Sequence, residues 1–397
     1  MAAVLGRVVN TTHSGTTLST LAEIPDLSYT FQRNEIGSAS WSVPFTHPQL
    51  QRVSSTGPTG FGPKLTDFRI GVSSTGNNGT WETVFGGICG PVGLQSGRST
   101  VAVAGVDYLA WLDQPFRFDG YLNNLKTEAD VASYRVNKTQ MVSIDAMVAN
   151  LWDAGNPSES LQITTSYLPN AGAWSANIVA HIVILGDNTT VLGHIKAIGA
   201  LNDPYGFEFW MNYDKTLVLY APRRVSYNGA VTTQIFAPSI GSPITDMKWG
   251  NAGPIATTTI GEYNGFYRNS RYLNSRLVYR DWWQRVAYDN INLIIKNFPK
   301  GLDAAVDAQG THDRNPQHQL TLSFRPEDVP TNFDALFWFR NQLGKIVEVD
   351  SEDWFLPYHR IDGKFWIDKQ TLTNDNVGNW TCELGLEQIY PTDATPP

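Results

Sequence analysis

Gly378-Asn379-Trp380-Thr381-Cys382-Glu383-Leu384-Gly385-Leu386-Glu387 is the stretch that decides the fold class. Trp380, Cys382, Leu384 and Leu386 occupy alternate positions, with Thr381, Glu383 and Glu387 on the other phase. Successive side chains of a strand point to opposite faces, so this segment is a strand with one dry and one wet face. A strand of that kind left unpaired is an aggregation hazard, and it therefore returns into a sheet. Upstream, Leu320, Leu322 and Phe324, then Ile346, Val347 and Val349, then Phe365 and Ile367 behind an Asp362-Gly363 turn, repeat the pattern.

A second strand-rich bracket spans residues 24–112. Leu27, Tyr29 and Phe31 alternate with Ser28, Thr30 and Gln32, and Ala39, Trp41, Val43 and Phe45 take up the same period. Phe68 to Val72, Trp81 to Ile88 and Val101 to Gly105 give three further strands, separated by Gly- and Asn-containing turns. Five short strands closed by such turns read as a small barrel or sandwich. Gly86-Gly87-Ile88-Cys89-Gly90 has neither dinucleotide-binding nor Walker spacing and reads as a strand with a bulge or a close backbone approach.

The middle carries helical patterns. Met141, Ile144, Met147, Val148 and Leu151 recur at three and four residues and predict a helix ending at Gly155. A second helix is expected from Thr189, whose hydroxyl caps it, to Leu201, with Asp203-Pro204 as the stop. Leu161 and Ile163 indicate a short strand, and Phe207 to Met211 with Thr216 to Tyr220 reads as a hairpin. Pro222 to Thr258, rich in Gly, Pro, Ser and Asn, reads as a linker, and Asp281 to Lys296 and Asn332 to Leu343 as two more helices, the last stopped at Gly344.

At 397 residues the chain is too long for one ordinary core, and about two to four domains are expected. The fold class is α+β, mainly β: residues 1–118 as a first β-barrel, 119–245 as an α+β insertion and 246–397 as a linker helix with a second barrel. A net charge of −8 argues against a grip on DNA, which takes a basic stripe to neutralise phosphates. No secretory leader opens the chain and its longest apolar stretch, Ile178 to Leu185, is short of a membrane span, so folding in a cytoplasm is expected. Cys89 and Cys382 are too few for a disulfide framework; buried reduced thiols are expected, with one bridge between the brackets as the alternative.

Chemistry finds little support. The seven histidines form no HExxH or Cys/His ligand set, and His312, Asp313 and His318 fall in a polar loop read as Asp307 to Gln319. No GxSxG elbow is present, so no catalytic, metal or cofactor residue is assigned. Glu208 among Phe207, Phe209 and Trp210, and Glu352-Asp353-Trp354, are the segments where a sugar-cleaving carboxylate pair would be sought. The other unusual stretch is Tyr263, Phe266, Tyr267, Arg268, Arg271, Tyr272, Arg276 and Tyr279, where aromatic and basic side chains interleave. Such a mixture stacks on bases or fills protein interfaces, and the net acidity favours a subunit interface.

The order of these patterns resembles the baseplate or tail hub proteins of long-tailed bacteriophages. Gly37-Ser38-Ala39-Ser40-Trp41-Ser42-Val43-Pro44 looks like that family's early strand, and Val84-Phe85-Gly86-Gly87-Ile88 with Val101-Ala102-Val103-Ala104-Gly105-Val106-Asp107-Tyr108 looks like its following hairpin. The helix and ribbon before Tyr220 and the Gly378–Glu387 strand are similar to later family segments. The resemblance implies two tail-tube-like barrels per subunit and a homotrimeric, pseudo-sixfold ring around a DNA channel at the virion tail tip. The implied neighbours are the distal tail protein, tail tip or fibre proteins and the tape measure protein, with DNA passing unbound and host-binding modules on other chains. A hexameric distal tail protein with a carbohydrate-binding insertion and a tail glycan hydrolase are the rival readings.

Overall fold

The alternating runs of both brackets hydrogen-bond into one sheet. The structure, a computed structural model, describes residues 4–22, 24, 26–47, 53–54, 57–58, 66–75, 79–93, 99–113, 137–139, 144–145, 148, 163–168, 174, 178–180, 190–199, 206–220, 233–236, 244–252, 256, 258–263, 265–271, 283–287, 302–303, 306–307, 310, 317–329, 334–349, 363–375 and 378–388. In the first bracket the strands are β1 (Leu5–Thr11), β2 (Thr17–Ala22), β3 (Ser28–Gln32), β4 (Ser38–Pro44), β5 (Val53–Ser54), β6 (Gly57–Pro58), β7 (Asp67–Ser73), β8 (Glu82–Gly93) and β9 (Thr100–Asp107). The middle holds β10 (Asn137–Thr139), β11 (Thr164–Leu168), β12 (Ile178–Ala180), helix α1 (Val191–Gly199), β13 (Glu208–Met211), β14 (Thr216–Tyr220) and β15 (Thr233–Phe236). Then follow β16 (Ile244–Ala252), β17 (Thr258–Tyr263), β18 (Phe266–Arg271), β19 (Trp283–Ala287), β20 (Gln317–Phe324), β21 (Ile346–Val349), β22 (Gly363–Asn374) and β23 (Trp380–Gln388).

Thirteen strands form the main sheet, in the order β16-β20-β23-β22-β3-β4-β9-β8-β7-β1-β2, with β21 beside β22 and β15 beside β21. The brackets join where β22 pairs antiparallel with β3, Leu372 opposite Tyr29 and Thr371 opposite Thr30. Alternation then sorts the two faces. Tyr29, Phe31, Trp41, Phe68, Phe85, Phe365, Leu372, Trp380 and Cys382 are buried in one shared core, each large side chain contributing roughly 1.5–3 kcal/mol by leaving water. Tyr29 donates its hydroxyl to the Phe339 carbonyl (3.0 Å) and Trp380 its indole N–H to the Val4 carbonyl (2.8 Å), so these two buried polar tips are satisfied. On the wet face, hydroxyl pairs cross the join: Ser28 with Thr373 (3.2 Å) and Thr30 with Thr371 (3.1 Å). Gly87 meets the expectation of a close approach, because a Cβ there would stand 1.9 Å from the Val106 carbonyl oxygen.

Several expectations are corrected. The β1–β2 hairpin precedes the bracket read from the sequence; Asn10 on its dry face breaks the apolar alternation that Val4 and Val8 begin. The segment read as a linker supplies β15 and β16, both in the main sheet, and Gln317 to Gln319 of the supposed polar loop already belong to β20. Within the helix read at Asp281 to Lys296, residues 283–287 are strand β19, paired parallel to β17; the rest lies outside the described residues. Within Asn332 to Leu343 there is one 3-10 turn, Phe337–Phe339, with two of its three aromatic side chains buried, and Asp334 Oδ1 accepting from Leu336 N. Gly344 is left-handed (φ 74°) as expected, in a turn rather than a helix cap.

The middle follows the sequence more closely. Ile144, Asp145 and Val148 are helical, with Ile144 and Val148 buried. Helix α1 is capped by Thr190, one residue after the expected Thr189: Gly193 N donates to Thr190 Oγ1 at 3.0 Å. β13 and β14 form the expected hairpin, and β11 lies parallel to β14. Both cysteines are free and buried, which overturns the bridge between the brackets, and burial pushes the Cys89 thiol up to about 12. Among the described residues no helix is long and apolar enough to cross a membrane.

Candidate interaction surface

Thr258-Thr259-Ile260-Gly261-Glu262-Tyr263 and Phe266-Tyr267-Arg268-Asn269-Ser270-Arg271 form an antiparallel hairpin, Tyr263 opposite Phe266, with Gly265 left-handed at φ 79°. The Asn264-Gly265 pair is the strongest short hairpin signal a sequence offers. On its other side β17 pairs in parallel with β19, giving a three-stranded sheet in the order β18-β17-β19.

Residues directly opposite on paired strands share a face. Trp283 therefore lies in line with Thr258 and Arg271, Arg285 with Ile260 and Asn269, and Ala287 with Glu262 and Tyr267. Trp283, Arg285, Ala287, Tyr267, Asn269 and Arg271, on the two outer strands, are all exposed, while on the central strand Thr258 is buried and Ile260 and Glu262 are half-buried, so this face stands open along its flanks. Trp283 is 65% exposed and Tyr267 49%, and Phe266 on the opposite face is 54% exposed. These three are the majority of the five large hydrophobic side chains exposed among the described residues. Aromatic area concentrated in this way marks a contact surface more often than a single stray ring does.

The polar groups of the open face are tied to one another. Arg285 Nη2 donates to Glu262 Oε2 (2.5 Å) and to the Tyr267 hydroxyl (2.9 Å), the hydroxyl donates to Glu262 Oε1 (3.0 Å), and the guanidinium carbon sits 5.2 Å from the Tyr267 ring centre. Hydrogen bonding to Glu262 raises the Arg285 guanidinium above its ordinary value. On the other face Arg268 pairs with Asp303 at 2.7 Å. Of the residues expected at an interface, Tyr267 and Arg271 reach the open face, Phe266 and Arg268 point to the other, and Tyr263 lies in β17; Tyr272 and Arg276 lie outside the described residues. Sequence pattern alone does not single out Trp283 and Arg285, because the stretch Asp281 to Lys296 reads as a helix and their alternation belongs to β19.

Glu208 has a different office from the one a glycosidase would give it. It is buried, and its Oε2 accepts from Arg33 Nη1 at 2.8 Å. Arg33 Nε donates to Asp368 Oδ1 and Nη2 to Glu387 Oε2, each at 2.7 Å. Burial would lower the Arg33 guanidinium, and the charges of Glu208, Asp368 and Glu387 override it and raise it. A carboxylate locked in this way is not poised to protonate a leaving group. Glu352 lies outside the described residues, and among those described no group of three His, Cys, Asp or Glu side chains fits a metal ion.

No family model matches the sequence, and no curated protein matches it. Solved structures do. The tail protein from Neisseria meningitidis MC58 superposes with a TM-score of 0.59 at 15% identity, covering 99% of this chain and 99% of that one. The 43 kDa tail protein of prophage MuSo2 from Shewanella oneidensis gives 0.57 at 12% identity, over 96% and 97% of the two chains. A chain of the lidded Francisella PdpA-VgrG complex gives 0.52 at 8% identity, over 99% of this chain and 53% of that one. Over almost its entire length, then, this mainly β chain has the fold of phage tail proteins.

Proposed function

We propose that this chain is a structural subunit of a phage tail hub, three copies closing a pseudo-sixfold ring around the DNA channel at the tail tip. In this reading residues 1–118 and 246–397 are two tube-like barrel units and 119–245 an insertion between them. The ring joins a hexameric tail tube or distal tail protein on one side to threefold tip or fibre proteins on the other. The tape measure protein and DNA occupy its axis in turn.

The observation that carries the proposal is the main sheet's pair of unlike ends. Among the described residues no sheet is closed: β16 pairs only with β20 and β2 only with β1. β2, Thr17-Leu18-Ser19-Thr20-Leu21-Ala22, carries no charge and no proline, the usual devices that keep an edge strand from pairing further. Two different edges on one subunit favour a head-to-tail contact, and such contacts close into rings when the rotation permits.

The deciding experiment is electron cryo-microscopy of purified tails, with the copy number and rotational symmetry at the tip as readouts. Three copies in a ring with an open axial channel support the hub. Six copies transfer the assignment to a distal tail protein, and no copies on the tail axis remove both.

A further inference from the structure

Hairpin β13–β14 is buried on both faces, and the two faces belong to different cores. Trp210, Val218 and Tyr220 pack in the core of the main sheet. Phe209, Met211, Leu217 and Leu219 pack with Ile144, Trp174, Val191, Leu192 and Ile195 in a second core, which Ile88, Tyr108, Leu109 and Leu112 of the first bracket also enter. A charged cluster fixes each end. At the start, Arg33 gathers Glu208 of β13, Asp368 of β22 and Glu387 of β23. Beside it, Asn34 N donates to the Phe209 carbonyl (2.8 Å) and Phe209 N to Asn34 Oδ1 (2.9 Å), with Asn34 left-handed at φ 60°. At the turn, the centre is an anion: buried Asp67 holds His13 Nδ1 (2.6 Å), the Tyr108 hydroxyl (3.0 Å) and Lys215 Nζ (3.3 Å), and Lys215 also donates to the His13 carbonyl (2.8 Å).

We propose that this hairpin is a mechanical coupler: a displacement of the segment that carries α1 is passed through Arg33 into the β22–β3 join, rather than absorbed by the connecting chain. The geometry leaves it little slack. The hairpin shares its apolar faces between two close-packed cores, which shift between discrete arrangements instead of deforming smoothly. Arg33 is where these elements meet, since it directly follows β3, grips β22 and β23 and holds the first residue of β13. The coupling belongs to the subunit itself and stands independently of the ring.

The test is a double-mutant cycle read by amide hydrogen exchange on the full chain. Ile195→Ala loosens the second core from the far side of α1. With Arg33 in place, the amides of the β22–β3 ladder (residues 28–32 and 369–373) should exchange about tenfold faster, while the β17–β18 ladder, to which the hairpin is not tied, changes less than about twofold. Adding Glu208→Leu, which removes the acceptor that Arg33 Nη1 binds and leaves Arg33 on Asp368 and Glu387, should reduce the effect of Ile195→Ala at the join to less than about twofold. Arg33→Lys is the second cut, which keeps the charge and loses the fork. The proposal is overturned if Ile195→Ala leaves the join unchanged, if it speeds both ladders equally, or if its effect at the join survives the Glu208 substitution.

Discussion

The Arg33 cluster and the open face of β18-β17-β19 are made of the same parts, arginine, carboxylate and neighbouring aromatic rings, and water separates what they do. Arg33 and Glu208 are both buried, and their ion pair replaces hydration that each has given up. Arg285 and Glu262 meet at 2.5 Å, but Arg285 stands in solvent, where screening and side-chain entropy leave an ion pair worth little. The first arrangement holds one subunit together. The second holds almost nothing by itself and presents pre-aligned groups to whatever covers it.

The largest consequence falls on Arg33→Met, which strands Glu208 in the interior without a cation. Breaking a buried pair from one side costs about 3–5 kcal/mol, and the urea midpoint of the purified subunit reads it. A loss under about 1 kcal/mol would break the contrast drawn here.

Asp107 sharpens it, being a buried carboxylate with no arginine. Among the described residues its two oxygens accept from Gly37 N (2.8 Å) and Leu109 N (2.9 Å). Burial outweighs those bonds and lifts its pKa from 3.8 to about 7. A folded pKa above the unfolded one means stability that is full below about pH 4 and lost as pH rises through about 7. The wild-type subunit should therefore lose up to about 1.4 kcal/mol per pH unit across that window from this group. Asp107→Asn should flatten the slope in denaturation midpoints taken at pH 5, 6, 7 and 8, and an unchanged slope would remove Asp107 as its source.

Trp283→Ser should move the subunit's stability by less than about 0.5 kcal/mol, as surface substitutions do, yet abolish the proposed ring assembly as read by light scattering of the purified subunit. Normal assembly would free the open face of any role in contacts. Arg285→Gln comes last, with no movement of the urea midpoint and a modest slowing of assembly.

Much of the fold was legible because a strand writes its two faces into the chain at a period of two. The phases of β3, β4, β7, β9, β20 and β23 were all readable from their alternation. β1 was harder to see, since Asn10 interrupts its dry face. β19 was unreadable for another reason. It pairs in parallel with β17, and no local turn announces a pairing between strands separated by a full segment of chain. The aromatic and basic interleaving around Tyr267 pointed to the candidate surface, whereas the partners of that surface, Trp283 and Arg285, came only with the pairing.

The sequence by itself determined which residues turn inward along strands such as β3, β4, β9 and β23, because that depends on neighbours two positions away. Which strands meet was decided by the tertiary structure. Arg33 finds Glu208 across 175 positions and Glu387 across 354, and nothing near Arg33 in the chain foretells either carboxylate. Only folding, by removing water from all of them at once, makes one arginine the place where three segments are joined.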